Sequence, residues 1–271
     1  MSEWPKTEFI ELEREADWLT IWLNRPRARN ALSAEMIGEM TTILEAVHAD
    51  RELRGVTLRG RGGIFCAGGD LKDFRAVFQG EAGSPEGVAA ANRAMGDLFD
   101  RIDRLPQVVV MLVEGAAIAG GLGMLCAADV VVVTRAAQFA LTETTLGIPP
   151  AQIAPFVVQR IGLPAARRIM LTAARFDGAA AGELGLADEV VADAEALAVA
   201  EQRIRDRVRQ CAPGANAATK EILLASARLD RETIKDFAAG HFAACMLGDE
   251  GREGIAAFIE KRKPKWAVRG A

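Results

Sequence analysis

Residues 56–74, VTLRGRGGIFCAGGDLKDF, run from a β-branched apolar segment through two clusters of glycine into an acidic, amphipathic start of a helix at Asp70. A second stretch, VVVMLVEGAAIAGGLGML at 108–125, repeats the order strand, glycines, helix. A helix that begins directly after glycines leaves amide groups without intrahelical acceptors, and the missing Cβ atoms let a ligand oxygen approach them. Two such turns can converge on one oxygen. Neither fits GxGxxG or GxxxxGK[ST], so the pattern does not point to a dinucleotide or a P-loop nucleotide.

Outward from these turns the pattern is that of an α/β protein. TEFIELER (7–14) and DWLTIWLN (17–24) alternate apolar and polar residues across an Ala16–Asp17 joint and predict a hairpin. Ser33 caps a predicted helix that runs to about His48, with Met36, Met40, Ile43, Leu44 and Val47 on one face. GVTLRG (55–60) is a strand. The polar, Gly/Pro-containing QGEAGSPEG (79–87) is a candidate flap before a helix over 88–104. QVVVMLVEG, DVVVV and AQFAL (137–141) add strands. Helices over 195–211, 214–228, 231–246 and 249–262 then replace the strand-rich pattern, which predicts a core over 1–194 and a helical region over 195–271.

The 271 residues are half apolar and carry a net charge of −4, with a pI near 5.5. The chain can bury a large core, and without a Lys/Arg block neither nucleic acid nor membrane is the expected partner. Cys66, Cys126, Cys211 and Cys245 lack metal-ligand or CxxC spacing, and His48 and His241 are far apart; no metal is expected. The acidic start MSEWPKTEFIELE has no apolar signal segment, so the expected compartment is the cytoplasm. The apolar run over 108–133 is broken by Glu114, Asp129 and glycines, which makes it core.

GIFCAGGDLK, EGAAIAGGLGMLCAADV, AQFALTETTLGIPP and EGREGIAAFIEKRKPKW, with LNRPRARNALS at 23–33, together resemble the crotonase superfamily of acyl-CoA enzymes along essentially the whole chain. The resemblance implies a spiral of ββα units with a helical trimerisation region, hence a homotrimer or a dimer of trimers. It implies an acyl-CoA thioester as substrate, with coenzyme A as part of that substrate and no separate cofactor. By the same resemblance the amides of Gly69 and Gly120 hold the thioester oxygen, where charge builds in an enolate-like intermediate. Gly69, Asp70, Leu71 and Lys72 would line the thioester and pantetheine, Arg27 and Ala28 would lie near the adenine, and Phe258 and Lys261 would reach a neighbouring subunit's coenzyme.

Hydratases of this family commonly use two glutamates. Glu143 in LTETTLG matches the second, beside Thr142, and an apolar pocket would raise its pKa toward the range useful for proton transfer. The place of the first is taken by Gly123. Three readings follow: hydration by Glu143, alone or helped by Asp73, Glu81 or Glu86; a Δ3–Δ2 double-bond isomerisation that needs one carboxylate; or acyl-CoA binding without chemistry. ETTLGIPPAQIAPFVVQRIG (143–162) resembles methylglutaconyl-CoA and isohexenylglutaconyl-CoA hydratases, which favours hydration of a branched, carboxylated 2-enoyl-CoA. Space left by Gly123 beside Ala116, Ala117 and Ala119 would suit a bulky β-carbon. Arg160, Arg167 or Arg168 could pair with a second carboxylate.

Overall fold

The computed structural model describes residues 4–70, 72–73 and 84–268. Leu71, the flap residues 79–83 and Glu81 among them lie outside the described residues. The strands are β1 (Ile10–Glu15), β2 (Trp18–Leu23), β3 (Gly55–Gly60), β4 (Val108–Val113), β5 (Ala116–Ile118), β6 (Val130–Thr134), β7 (Gln138–Ala140), β8 (Arg175–Asp177) and β9 (Glu189–Val191). The helices are α1 (Ala34–Ala49), α2 (Pro85–Asp103), α3 (Gly120–Cys126), α4 (Ala154–Thr172), α5 (Gly178–Glu183), α6 (Ala194–Gln210), α7 (Pro213–Ser226), α8 (Arg231–Leu247), α9 (Asp249–Ile259) and α10 (Lys265–Val268).

β1 and β2 form the expected antiparallel hairpin, and the remaining strands of this sheet run parallel in the order β1-β2-β3-β4-β6-β9. Alternate residues explain how both faces are buried. Leu19, Ile21, Leu23, Val109, Met111 and Val113 join the main core, while Trp18, Val110, Leu112 and Val132 pack with Leu197, Ala200 and Val208 of α6 on the other side. Thr20 and Thr57 meet α6 through polar groups instead: the Trp18 Nε1 donates to Thr57 Oγ1 (2.9 Å), which donates to Glu201 Oε1 (2.6 Å), and Arg205 donates to Glu201 and Thr20. The β2 run is therefore two-sided, although its sequence alternates.

α1 starts where Ser33 accepts from the Met36 amide and buries the five predicted apolar residues. α2 starts earlier than expected. Ser84 accepts from Gly87 N, and Pro85, with its fixed φ and no N–H to lose, opens the first turn. Residues 84–87 are thus a capped helix start rather than part of a flap. α9 stops at Ile259, before the expected 262, because Lys261 turns into the left-handed region (φ 54°).

A second, smaller sheet carries the glycine turns. β5 pairs parallel with β7, and β7 antiparallel with β8. Single bridges extend its stacking: Cys66 beside Ala117, and Leu32 beside Gly69. Successive turns of the chain thus pile their strand ends on one another, as the ββα spiral reading anticipates.

Candidate active site

The two glycine turns touch. Gly68 has φ 94°, and a Cβ there would stand 2.8 Å from the Ala119 Cβ and 3.6 Å from the Gly120 nitrogen, so this position demands glycine on both conformational and steric grounds. Gly121 is pressed as closely against Cys66, where a Cβ would lie 2.7 Å from the Cys66 carbonyl oxygen. Cys66 N donates to Ala116 O (3.0 Å) and Ile118 N to Cys66 O (2.9 Å), which zips the first turn to β5.

The third component joins through β7. Ile118 lies opposite Ala140, and Ala119 N donates to Ala140 O (2.9 Å), so the chain leaving β5 toward Gly120 runs beside the chain leaving β7 toward Glu143. Neighbouring strands are about 4.8 Å apart. Cys66, Ala117 and Phe139 are therefore in consecutive layers, and the chain continues from Ala140 through two residues to Glu143.

The backbone leaves amides in the glycine turns unpaired. Gly69 N has no acceptor among the described residues, and Gly120 N precedes the first helical bond of α3, from Gly123 N to Ala119 O (3.0 Å). Ala119, with φ 51° and ψ −118°, holds a conformation that costs a non-glycine residue on the order of 1–3 kcal/mol. This outlier turns the chain sharply from β5 into α3 at Gly120. Leu32 and the Met95 sulfur flank Gly120, about van der Waals distance from where its Cβ would be.

Glu143, three residues beyond the end of β7, is buried, 8% exposed, and its Oε2 has no hydrogen-bond partner among the described residues. It opens a short 3-10 turn over Glu143–Leu146 that ends at Gly147 with φ 77°. Burial pushes its carboxyl pKa up from the ordinary 4.5, partly offset by the adjoining amides of Glu143 and Thr142. Thr142 is half-buried and its carbonyl accepts from Thr145 Oγ1 (2.7 Å).

Several expectations are corrected here. Gly123 opens no space: a Cβ on it would stand 2.9 Å from Ile153 Cγ1 and 3.0 Å from the Phe99 ring, so apolar side chains already fill the place an acid would enter. The Asp70 carboxylate is engaged within the protein, Oδ2 accepting from Arg25 Nη2 (3.0 Å) and Oδ1 from Lys72 N (2.9 Å), which is compatible with the expected coenzyme contacts through backbone groups. Asp73 is likewise committed, accepting from Ala34 N at the start of α1 (2.9 Å). Arg160 donates to Leu186 O, Ala128 O and Asp188, and Arg167 and Arg168 are exposed; Glu86 is exposed in the first turn of α2.

The remaining sequence candidates lie at the surface. Arg27 is exposed and Ala28 half-buried in a 3-10 turn over Pro26–Ala28, joined to the first glycine turn by the bond from Ala67 N to Arg29 O (3.0 Å). Lys72 is exposed beside Asp70. Phe258, 85% exposed, and Lys261 have no tie to the site within one chain. Sequence reasoning did not single out Arg25, Met95, Ile153 or Phe99, although Arg25 stands inside NRPRARN and Ile153 inside the stretch 143–162; Ala119 it named only as a small neighbour of Gly123, not for its backbone. Among the described residues no group of His, Cys, Asp and Glu could hold a metal, and no helix is long and apolar enough to cross a membrane.

Comparison with known proteins agrees with this architecture. Pseudomonas aeruginosa AtuE superposes with a TM-score of 0.93 at 50% identity, over 96% of this chain and 100% of that one. An enoyl-CoA hydratase/isomerase from Marinobacter aquaeolei gives 0.93 at 41% identity, over 96% and 100%. Enoyl-CoA hydratase EchA19 of Mycobacterium tuberculosis is 33% identical over 274 residues, 95% of this chain and 96% of that protein. The α/β spiral followed by helices is the crotonase fold of these neighbours. With residues 13–269 matching the enoyl-CoA hydratase/isomerase family model, the chain belongs to that family.

Proposed function

We propose that the protein hydrates the 2,3 double bond of a branched, carboxylated 2-enoyl-CoA of the 3-methylglutaconyl-CoA or isohexenylglutaconyl-CoA type. The observation that carries this reading is Glu143, a buried carboxylate with an unpartnered oxygen, on the chain that leaves Ala140, itself bonded to Ala119 beside Gly120; the amides of Gly69 and Gly120 have no backbone acceptor among the described residues. In this reading the thioester oxygen accepts from both amides. Each donor contributes on the order of 3 kcal/mol where enolate charge develops. The Glu143 carboxylate takes a proton from water as its oxygen attacks the β-carbon, then returns a proton to the α-carbon. Hydratase-named relatives such as EchA19 support the reaction class. The branched substrate rests on the resemblance of residues 143–162 alone, since Gly123 gives no extra room.

One observation favours a second reading. With Ile153 and Phe99 filling the space beside Gly123, Glu143 is the one buried carboxylate with an unpartnered oxygen among the described residues, which is what a Δ3–Δ2-enoyl-CoA isomerase needs to carry a proton between the α and γ carbons. Turnover in oxygen-18 water separates the two: hydration puts the label on the β-carbon, isomerisation incorporates none. Loss of conjugated-thioester absorbance with either proposed substrate is the expected result, and no loss with both would count against hydration.

The assembly proposed is a homotrimer or dimer of trimers. It is supported by the apolar residues that α7, α8 and α9 leave uncovered, among them Leu223, Phe242, Leu247, Phe258 and Ile259. The division into a core over 1–194 and a helical region over 195–271 belongs to the same proposal, as do coenzyme contacts from Arg27, Ala28, Leu71, Lys72, Phe258 and Lys261.

A further inference from the structure

We propose that Arg25 and Asp70 form a clamp that sets the direction of the Gly69 amide, making both positioning residues for the thioester oxygen; this rests on the role given to Gly69 above. The Gly68 carbonyl accepts from Leu32 N (2.8 Å), and Asp70 N donates to Leu32 O (3.0 Å). The C=O and N–H of a trans peptide point in opposite directions. A Gly68 carbonyl aimed at Leu32 therefore aims the Gly69 N–H away from that segment. The bearing of this one amide depends on how residues 68–70 lie against Leu32.

One guanidinium straddles that contact. Arg25 Nη1 donates to Ala31 O (2.6 Å), just before Leu32, and Nη2 donates to Asp70 Oδ2 (3.0 Å), just after Gly69. The Arg25 segment is itself fixed, because Arg25 N donates to Asn30 Oδ1 (2.8 Å) and Asn30 Nδ2 donates to Ile64 O (2.7 Å). The two side chains are only 17% and 10% exposed, so the pair is largely removed from salt screening. The Lys72 amide and the Arg25 guanidinium hold the Asp70 carboxyl below the usual carboxylate range, which keeps it ionised as the pH falls toward that range. A planar fork can hold two acceptors on either side of a bridge; a lysine ammonium is a point charge and holds them less well.

The test uses Arg25→Lys and Asp70→Asn in the full chain, assayed with the better of 3-methylglutaconyl-CoA and isohexenylglutaconyl-CoA. A misplacement near 1 Å costs about a hundredfold in rate, so kcat is expected to fall by about that factor while KM changes little. The double variant should be no worse than either single one, since both break one unit. Melting temperatures are read alongside, and should stay near wild type. Hydrogen exchange of peptides covering 64–70 should quicken in both variants, and this readout requires no turnover. Wild-type kcat with quickened exchange would overturn the role of Gly69; unchanged exchange would overturn the clamp itself. A kcat loss matched by a fall in melting temperature would also overturn it, as a merely structural effect. Should Arg25→Lys fail to fold, Asp70→Asn, which keeps size and shape, carries the same outcomes.

Discussion

Glu143 takes its chemistry from where it is buried. Its carboxyl is raised by desolvation, so the basic form that the proposed reaction requires is lost as the pH falls through a value above the ordinary 4.5. The acid limb of kcat/KM should accordingly lie above that value, and a profile flat down to it would contradict the assignment. Glu143→Gln keeps the size and removes the base; kcat should drop by about 10²–10⁴ with acyl-CoA binding retained, measured by calorimetry. At this scale the sequence motifs pointed to residues that the structure finds unpartnered among those described, the Glu143 carboxyl and the Gly69 and Gly120 amides. The sequence did not show the backbone strain at Ala119, which comes from the turn that joins β5 to α3, or the Arg25–Asp70 pair, whose partners are 45 residues apart.

Elements explain why no second acid enters beside Gly123. α2, α4 and the turn before α4 bring Phe99 and Ile153 against α3 at Gly123, so Gly123→Glu should not restore a second acid but overpack the core. A cost of roughly 1–3 kcal/mol is expected, read as a lower denaturation midpoint; a variant as stable as wild type would show that the wall yields. The same helix α2 ends with Asp103, whose carboxyl burial pushes up to about 6, helped by Asp100 and Asp129. Its folded value lies above the unfolded 3.8, so the folded form binds the proton more tightly, and the stability this gives is present below pH 3.8 and lost as the pH rises through about 6. Asp103→Asn should raise the melting temperature at pH 8 and leave it nearly unchanged at pH 3.5. Strands and helices were largely readable from periodicity, because their apolar faces do bury. The exceptions have local causes: Pro85 starts α2 early, and Gly123 looked like vacant space because a glycine says nothing of which distant side chains lean over it.

For the whole molecule, the helices beyond residue 194 divide their work. α6 seals the second face of the large sheet with an apolar cluster and the Arg205–Glu201 network, whereas α7, α8 and α9 expose Phe242 (69%) and Phe258 (85%). Exposed apolar area of this kind marks an interaction surface. Sedimentation should find an assembly several times 29.0 kDa, and Phe242→Asp with Phe258→Asp should shift it toward the single-chain mass. A stable monomer that turns over acyl-CoA would remove the assembly from the account. The convergence of three chain segments at one sheet edge is the claim on which the rest depends. A crystal structure with a non-reactive acyl-CoA analogue tests it most directly: the thioester oxygen should accept hydrogen bonds from Gly69 N and Gly120 N, with the Glu143 carboxylate against the α and β carbons, and a thioester bound away from these three groups would contradict it.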